Sequence, residues 1–201
     1  MTLERLGDVD WRELVHAYGN ASGLPDILRC AVSDDSQEAE DAIVDLFGTI
    51  YHQGSVYSST APAVPFLYEL VADAGVHHRP RLLGLLSAIA GAVGDLEGHS
   101  EEEYDDPDLS TVRGWAKNAR AAVEGGVPTL ISLLDDGDPA VRAGAAFVLA
   151  DFPEHEPDLA SVLREKALSE HDPGAAASMV LAVGDLTCDR DAPSARRPSR
   201  P

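Results

Sequence analysis

The sequence is poor in cysteine, in lysine and in long apolar runs, and each shortage excludes a class of protein. Cysteine occurs twice in 201 residues, at Cys30 and Cys188. A disulfide framework needs more, so a reducing cytoplasm is expected, with one bridge between the two ends as the alternative. No stretch approaches the roughly 18 unbroken apolar residues of a membrane-spanning helix. The opening Met1-Thr2-Leu3-Glu4-Arg5-Leu6 lacks the basic-then-apolar run of a secretion signal. Alternation with period two is missing, so essentially no sheet is expected. The Gly-x-Ser-x-Gly elbow, the phosphate loop, the dinucleotide fingerprint and His-Glu-x-x-His are missing as well. No catalytic residue and no cofactor is therefore indicated. Cys30, inside Ile27-Leu28-Arg29-Cys30-Ala31-Val32, reads as a small buried hydrophobe rather than a nucleophile.

Acid is what the sequence has in excess. There are 35 Asp and Glu against 15 Lys and Arg, a formal charge of −20. Residues 189–201 hold four Arg and two Asp, so the chain before them carries −22. Such a surface repels phosphate backbones, which disfavours nucleic acid, and attracts a basic protein or a cation. Arg outnumbers Lys thirteen to two, a bias common in high-GC bacterial genomes.

Internal repetition organises the chain. Three segments align on a proline, around Pro25, Pro65 and Pro128, and each reads as a helix start, where the missing N–H of proline is not needed. Residues 24–47 lie over 127–150 without a gap: short helix, acidic turn, second helix. In the later copy Asp138 is the expected N-cap and Pro139 the first helical residue. Val141, Ala145, Val148 and Leu149 then form one apolar stripe, and Ala39, Ala42, Ile43, Leu46 and Phe47 its counterpart. Residues 81–92 are apolar nearly all round, which predicts a central buried helix.

Asp138 to Arg142 followed by Ala145 to Ala150 resembles the first helix of HEAT repeats of the phycobilisome-lyase type, and residues 172–182 resemble a second copy. Residues 50–57 and 60–67 are similar to bacterial HEAT-repeat proteins without a settled activity. The resemblance implies an all-α fold, a right-handed α-solenoid of eight to ten helices spanning 1–188, with capping helices in 1–23. Members of that class often stack Asp and Arg into a ladder. Here Arg142 holds the Arg position but Ala39 stands at its equivalent, so no continuous ladder is expected. Lyase-type repeats occur in chromophore-attaching enzymes, yet no catalytic residue carries over.

Three regions depart from plain repeat. Residues 51–60 gather His52, Gln53, Tyr57, Ser58 and Thr60, a set able to grip a ligand or, alternatively, to cap helices. Residues 94–109 are an acidic insertion whose spacing does not match an EF-hand loop, so no metal site is assigned. Residues 189–201 read as a disordered basic tail. In addition, residues 11–19 read as an amphipathic capping helix, with Trp11 and His16 as further candidate contacts. The expected function is a non-catalytic interaction module, a scaffold or an immunity-like protein, binding a basic protein or peptide on an acidic concave face. The alternative is an enzyme or small-molecule binder with a pocket at residues 51–60.

Overall fold

The computed structural model describes residues 3–95 and 109–188, and most of them belong to helices. Nine α-helices occur among them: α1 (Leu24–Cys30), α2 (Ser36–Thr49), α3 (Thr60–Ala72), α4 (Arg79–Asp95), α5 (Leu109–Glu124), α6 (Val127–Leu133), α7 (Pro139–Leu149), α8 (Asp158–Ser169) and α9 (Pro173–Thr187). Two antiparallel β-hairpins interrupt the helices, β1 (Val15–His16) with β2 (Gly19–Asn20), and β3 (Tyr51–His52) with β4 (Ser55–Val56).

The helix starts of the two sequence copies coincide. The pair α1–α2 and the pair α6–α7 begin at equivalent positions, Leu24 with Val127 and Ser36 with Pro139. Both second helices are capped by an aspartate that accepts backbone N–H groups: Asp35 from Gln37 and Glu38, Asp138 from Ala140. Asp172 does the same for α9, accepting from Ala175. Each cap satisfies donors that a helix start leaves open and ends the acidic turn before it.

α4 lies at the centre and packs on α3, α5 and α7, with a lighter contact to α2. Leu82, Leu83, Leu85, Leu86, Ile89 and Ala90 are at most 1% exposed, as their all-round apolar pattern predicts. Each of these leucines contributes roughly 1.5–3 kcal/mol by leaving water. The approach of α7 is close. A Cβ on Gly144 would sit 2.8 Å from Leu83 Cδ1, so the small residues of α7 face the central helix. One hydrophobic cluster runs from Leu3 to Leu186.

Three expectations change. Pro65 is an interior residue of α3, not its start. The helix already begins at Thr60 because the Ala63 N–H reaches the Ser59 carbonyl, and the turn before it is closed by Thr60. Residues 11–19 are not a helix. Asp10 caps a short 3-10 turn, Trp11–Glu13, and the chain then forms the β1–β2 hairpin, where Gly19 takes φ 114°. Tyr18-Gly19-Asn20 is turn chemistry, and it overrides the apolar spacing. Finally, of the insertion 94–109, Gly94 and Asp95 close α4 and Leu109 opens α5. The rest of it, with residues 189–201, lies outside the described residues. No helix among the described residues is long and apolar enough to cross a membrane.

Candidate functional site

The two hairpins sit side by side. The Ala17 N–H donates to the Thr49 carbonyl at 3.0 Å, and the Ser59 N–H to the Val15 carbonyl at 3.2 Å. The Val15 N–H donates to Ser58 Oγ at 2.9 Å. Three bonds therefore lock the first hairpin to the end of α2 and to the loop before α3. In each hairpin the residue before the two-residue turn is a histidine, His16 or His52. The second turn, Gln53-Gly54, has φ values of 50° and 88°, the left-handed pair that a tight hairpin turn requires.

Tyr18 stands between the two histidines. Its ring centroid is 6.3 Å from that of His16 and 5.5 Å from that of His52, both near edge-on. The Tyr18 N–H donates to His16 Nδ1 at 3.0 Å, so this nitrogen keeps its lone pair towards the turn. The Tyr18 side chain is 70% exposed. An aromatic ring left open to water on a pinned turn is suited to contact rather than to core packing.

The other sequence candidates divide between this patch and the interior. Gln53 is exposed at the neighbouring turn. Ser58 serves the hairpin junction through its hydroxyl. Tyr57 is half-buried and its ring lies 6.5 Å from that of Trp115 on α5. Thr60 is fully buried: its hydroxyl donates to the Ile50 carbonyl at 2.6 Å and accepts the Tyr57 N–H at 2.9 Å, closing the loop. Trp11 is a core residue, 4% exposed, with its indole N–H on the Leu6 carbonyl at 2.8 Å and its ring near Phe66. Thr60 and Trp11 are therefore interior residues and not part of the exposed patch. Tyr18 joins it. Its signal was the Gly19-Asn20 pair that follows it, which the helical spacing of residues 11–18 masked.

Acid is exposed along α2, whose last residue, Thr49, holds the first hairpin. Along α2, Glu38, Asp41 and Asp45 are exposed on one side, preceded by Asp34 and Asp35. Asp45 lies one turn before Thr49, whose carbonyl holds the first hairpin. Cys30 on α1 is half-buried; burial, then the charge of Glu38, pushes its thiol up and disfavours the thiolate.

A second polar constellation joins the later helices. Arg79 grips Asp136, and Arg142 grips Glu170 through bonds of 2.6 and 2.7 Å while also donating to the Asp136 carbonyl at 2.8 Å. Glu170 further accepts the N–H groups of His171 and Asp172. A shallow cleft beside this pair is lined by Asp135, Lys166 and His171, and Lys166 is itself bonded to Asp135. A second cleft lies over Gly7, Asp8 and Arg12. Neither of these two reaches residues 51–60.

Compared with known proteins, the chain matches no family model, no curated protein and no solved structure.

Proposed function

We propose that this protein is a non-catalytic interaction module, a right-handed α-solenoid of HEAT-like helical hairpins that binds a basic segment of another protein on its acidic surface. The paired β-hairpins and the exposed edge of α2 form the contact. The solenoid reading is supported by the matching starts of α1–α2 and α6–α7, and by the aspartate cap of Asp35 that recurs at Asp138 and Asp172.

The observation that carries the binding reading is how the bases are used. Residues 1–188 contain eleven Arg and Lys. Eight of them (Arg5, Arg12, Arg29, Arg79, Arg81, Arg120, Arg142 and Lys166) are in ion pairs with carboxylates of this chain. The surplus acid is left to face solvent, and the α2 edge with Glu38, Asp41 and Asp45 has no part in these pairs. A field of one sign beside an exposed aromatic turn steers and holds a cationic chain.

Calorimetric titration with an unstructured Arg- and Lys-rich peptide tests this. Binding is expected to weaken steeply with salt, as exposed charges are screened. Replacing Asp41 and Asp45 by lysine is expected to weaken it on the order of tenfold or more, since it turns attraction into repulsion. The same reversals at Asp158 and Glu165 on α8 serve as the control for mere net charge. Equal loss from both sets, or no binding by the unmodified protein, overturns the proposal.

A further inference from the structure

We infer that the turn of the first hairpin recognises an arginine side chain of the partner, with Tyr18 as the platform and His16 and His52 as its braces. This rests on the interaction reading above and names what one point of that surface selects.

Four observations lead there. First, Tyr18 is 70% exposed, the most exposed aromatic among the described residues. Second, the ring is held in place. Its backbone N–H is tied to His16 Nδ1 at 3.0 Å, the next residue back, Ala17, is tied to Thr49, and His52 of the other hairpin stands 5.5 Å away. A braced ring loses little freedom on binding, which favours affinity. Third, Asp45 is exposed on α2 one turn before Thr49, whose carbonyl holds Ala17 beside Tyr18. Fourth, the fold already uses this chemistry internally. The Arg120 guanidinium lies 4.9 Å over the Phe152 ring while donating to Glu154 at 2.7 Å. Ring plus carboxylate is thus a combination that holds guanidinium in this chain.

Arginine fits such a place better than lysine. Guanidinium is planar and weakly hydrated, so it stacks on a ring face and still offers N–H groups to carboxylates at its rim. A lysine ammonium is a compact, strongly hydrated charge that gains less from the ring.

The test uses the full chain and two fluorescent peptides equal in length and charge, one with arginine and the other with lysine at every basic position. Anisotropy titrations at moderate salt are expected to show the arginine peptide binding on the order of tenfold more tightly. Tyr18→Ala is expected to erase that preference while leaving the weaker lysine-peptide affinity in place, and Tyr18→Phe to keep it, because the ring and not the hydroxyl is required. Tyr18 is exposed, so both variants fold, which a thermal melt checks. Equal binding of the two peptides overturns the arginine assignment while the acidic-surface reading stands. A preference that survives Tyr18→Ala overturns the role of this turn. Failure of both peptides to bind overturns this inference together with the reading it rests on.

Discussion

Arg79 and Asp136 meet as a two-pronged ion pair between α4 and the turn after α6. Nη1 donates to Oδ2 at 2.7 Å and Nη2 to Oδ1 at 3.0 Å, with side chains only 8% and 14% exposed. The pair fastens the start of α4 to the turn between α6 and α7, residues 57 positions apart. The bond from Arg79 also holds the Asp136 carboxyl below the usual carboxylate range. Removing one partner leaves a charge stranded from water. Arg79→Met is expected to cost about 3–5 kcal/mol in urea unfolding, and Asp136→Leu added to it is expected to restore part of that. A cost under about 1 kcal/mol would show that the pair contributes little.

The second pair gives a pH signature. Hydrogen bonds from Arg142, then from the Asp172 N–H, lower the Glu170 carboxyl from 4.5 to about 2. A carboxylate held below its unfolded value contributes stability above that value and loses it as pH falls through the folded one. The unmodified protein should therefore exceed Glu170→Gln in stability by a constant margin above pH 4.5, and the margin should shrink between 4.5 and about 2. Chemical unfolding across this range checks it. A margin independent of pH would show that Glu170 acts by its shape alone.

Gly126 precedes α6 because Tyr68 leaves no room for a side chain. A Cβ there would lie 2.0 Å from Tyr68 Cζ, and the Tyr68 hydroxyl donates to the Val123 carbonyl at 2.7 Å. Burial pushes that phenol well up, so it stays a donor. Gly126→Ala is expected to cost at least about 2 kcal/mol through overpacking. Combined with Tyr68→Ala, the total should fall short of the sum of the single costs. An unchanged Tm for Gly126→Ala would show that α3 and α6 can slide apart.

Ser59 closes the junction between the hairpins with its backbone, while its hydroxyl is buried without a hydrogen-bond partner among the described residues. A buried unsatisfied hydroxyl is destabilising. Ser59→Ala should thus lie between no change and a gain of about 1 kcal/mol. A loss greater than that would mean the hydroxyl is engaged.

Much of this architecture is readable in the sequence because helix starts carry local chemistry. Asp35, Asp138 and Asp172 cap where short polar side chains precede an apolar period, and Pro128 and Pro139 stand at the first helical turns. Pro65 misled because the same residue type also occurs inside α3, where the start had been set five residues earlier by Thr60. Residues 11–18 misled more seriously. Trp11, Leu14, Val15 and Tyr18 have helical spacing, yet Gly19 and Asn20 favour a turn. The bonds that settle the matter reach Thr49 and Ser58, more than thirty residues away.

The same division holds for the candidate site and the ion pairs. His52, Gln53, Tyr57 and Ser58 stood out as a polar loop, and His16 as a lone imidazole, but nothing local linked the two stretches. The bonds that tie the first hairpin to Thr49, Ser58 and Ser59, on either flank of the second, brought both His16 and His52 within ring contact of Tyr18. Likewise Ala39 stands where the later copy has Arg142, so the sequence offers no arginine at that place in the earlier one. Arg79, from a different helix position, supplies a guanidinium to Asp136 that no alignment of the repeats contains. The helical class, the phase of the caps and the central place of α4 were legible along the chain because each depends on residues close together in it, and the excess of acid because it is a matter of composition. Only tertiary packing decided which histidines meet, which tyrosine is left exposed and which arginine finds which acid, because each depends on distances between segments that the chain order does not set.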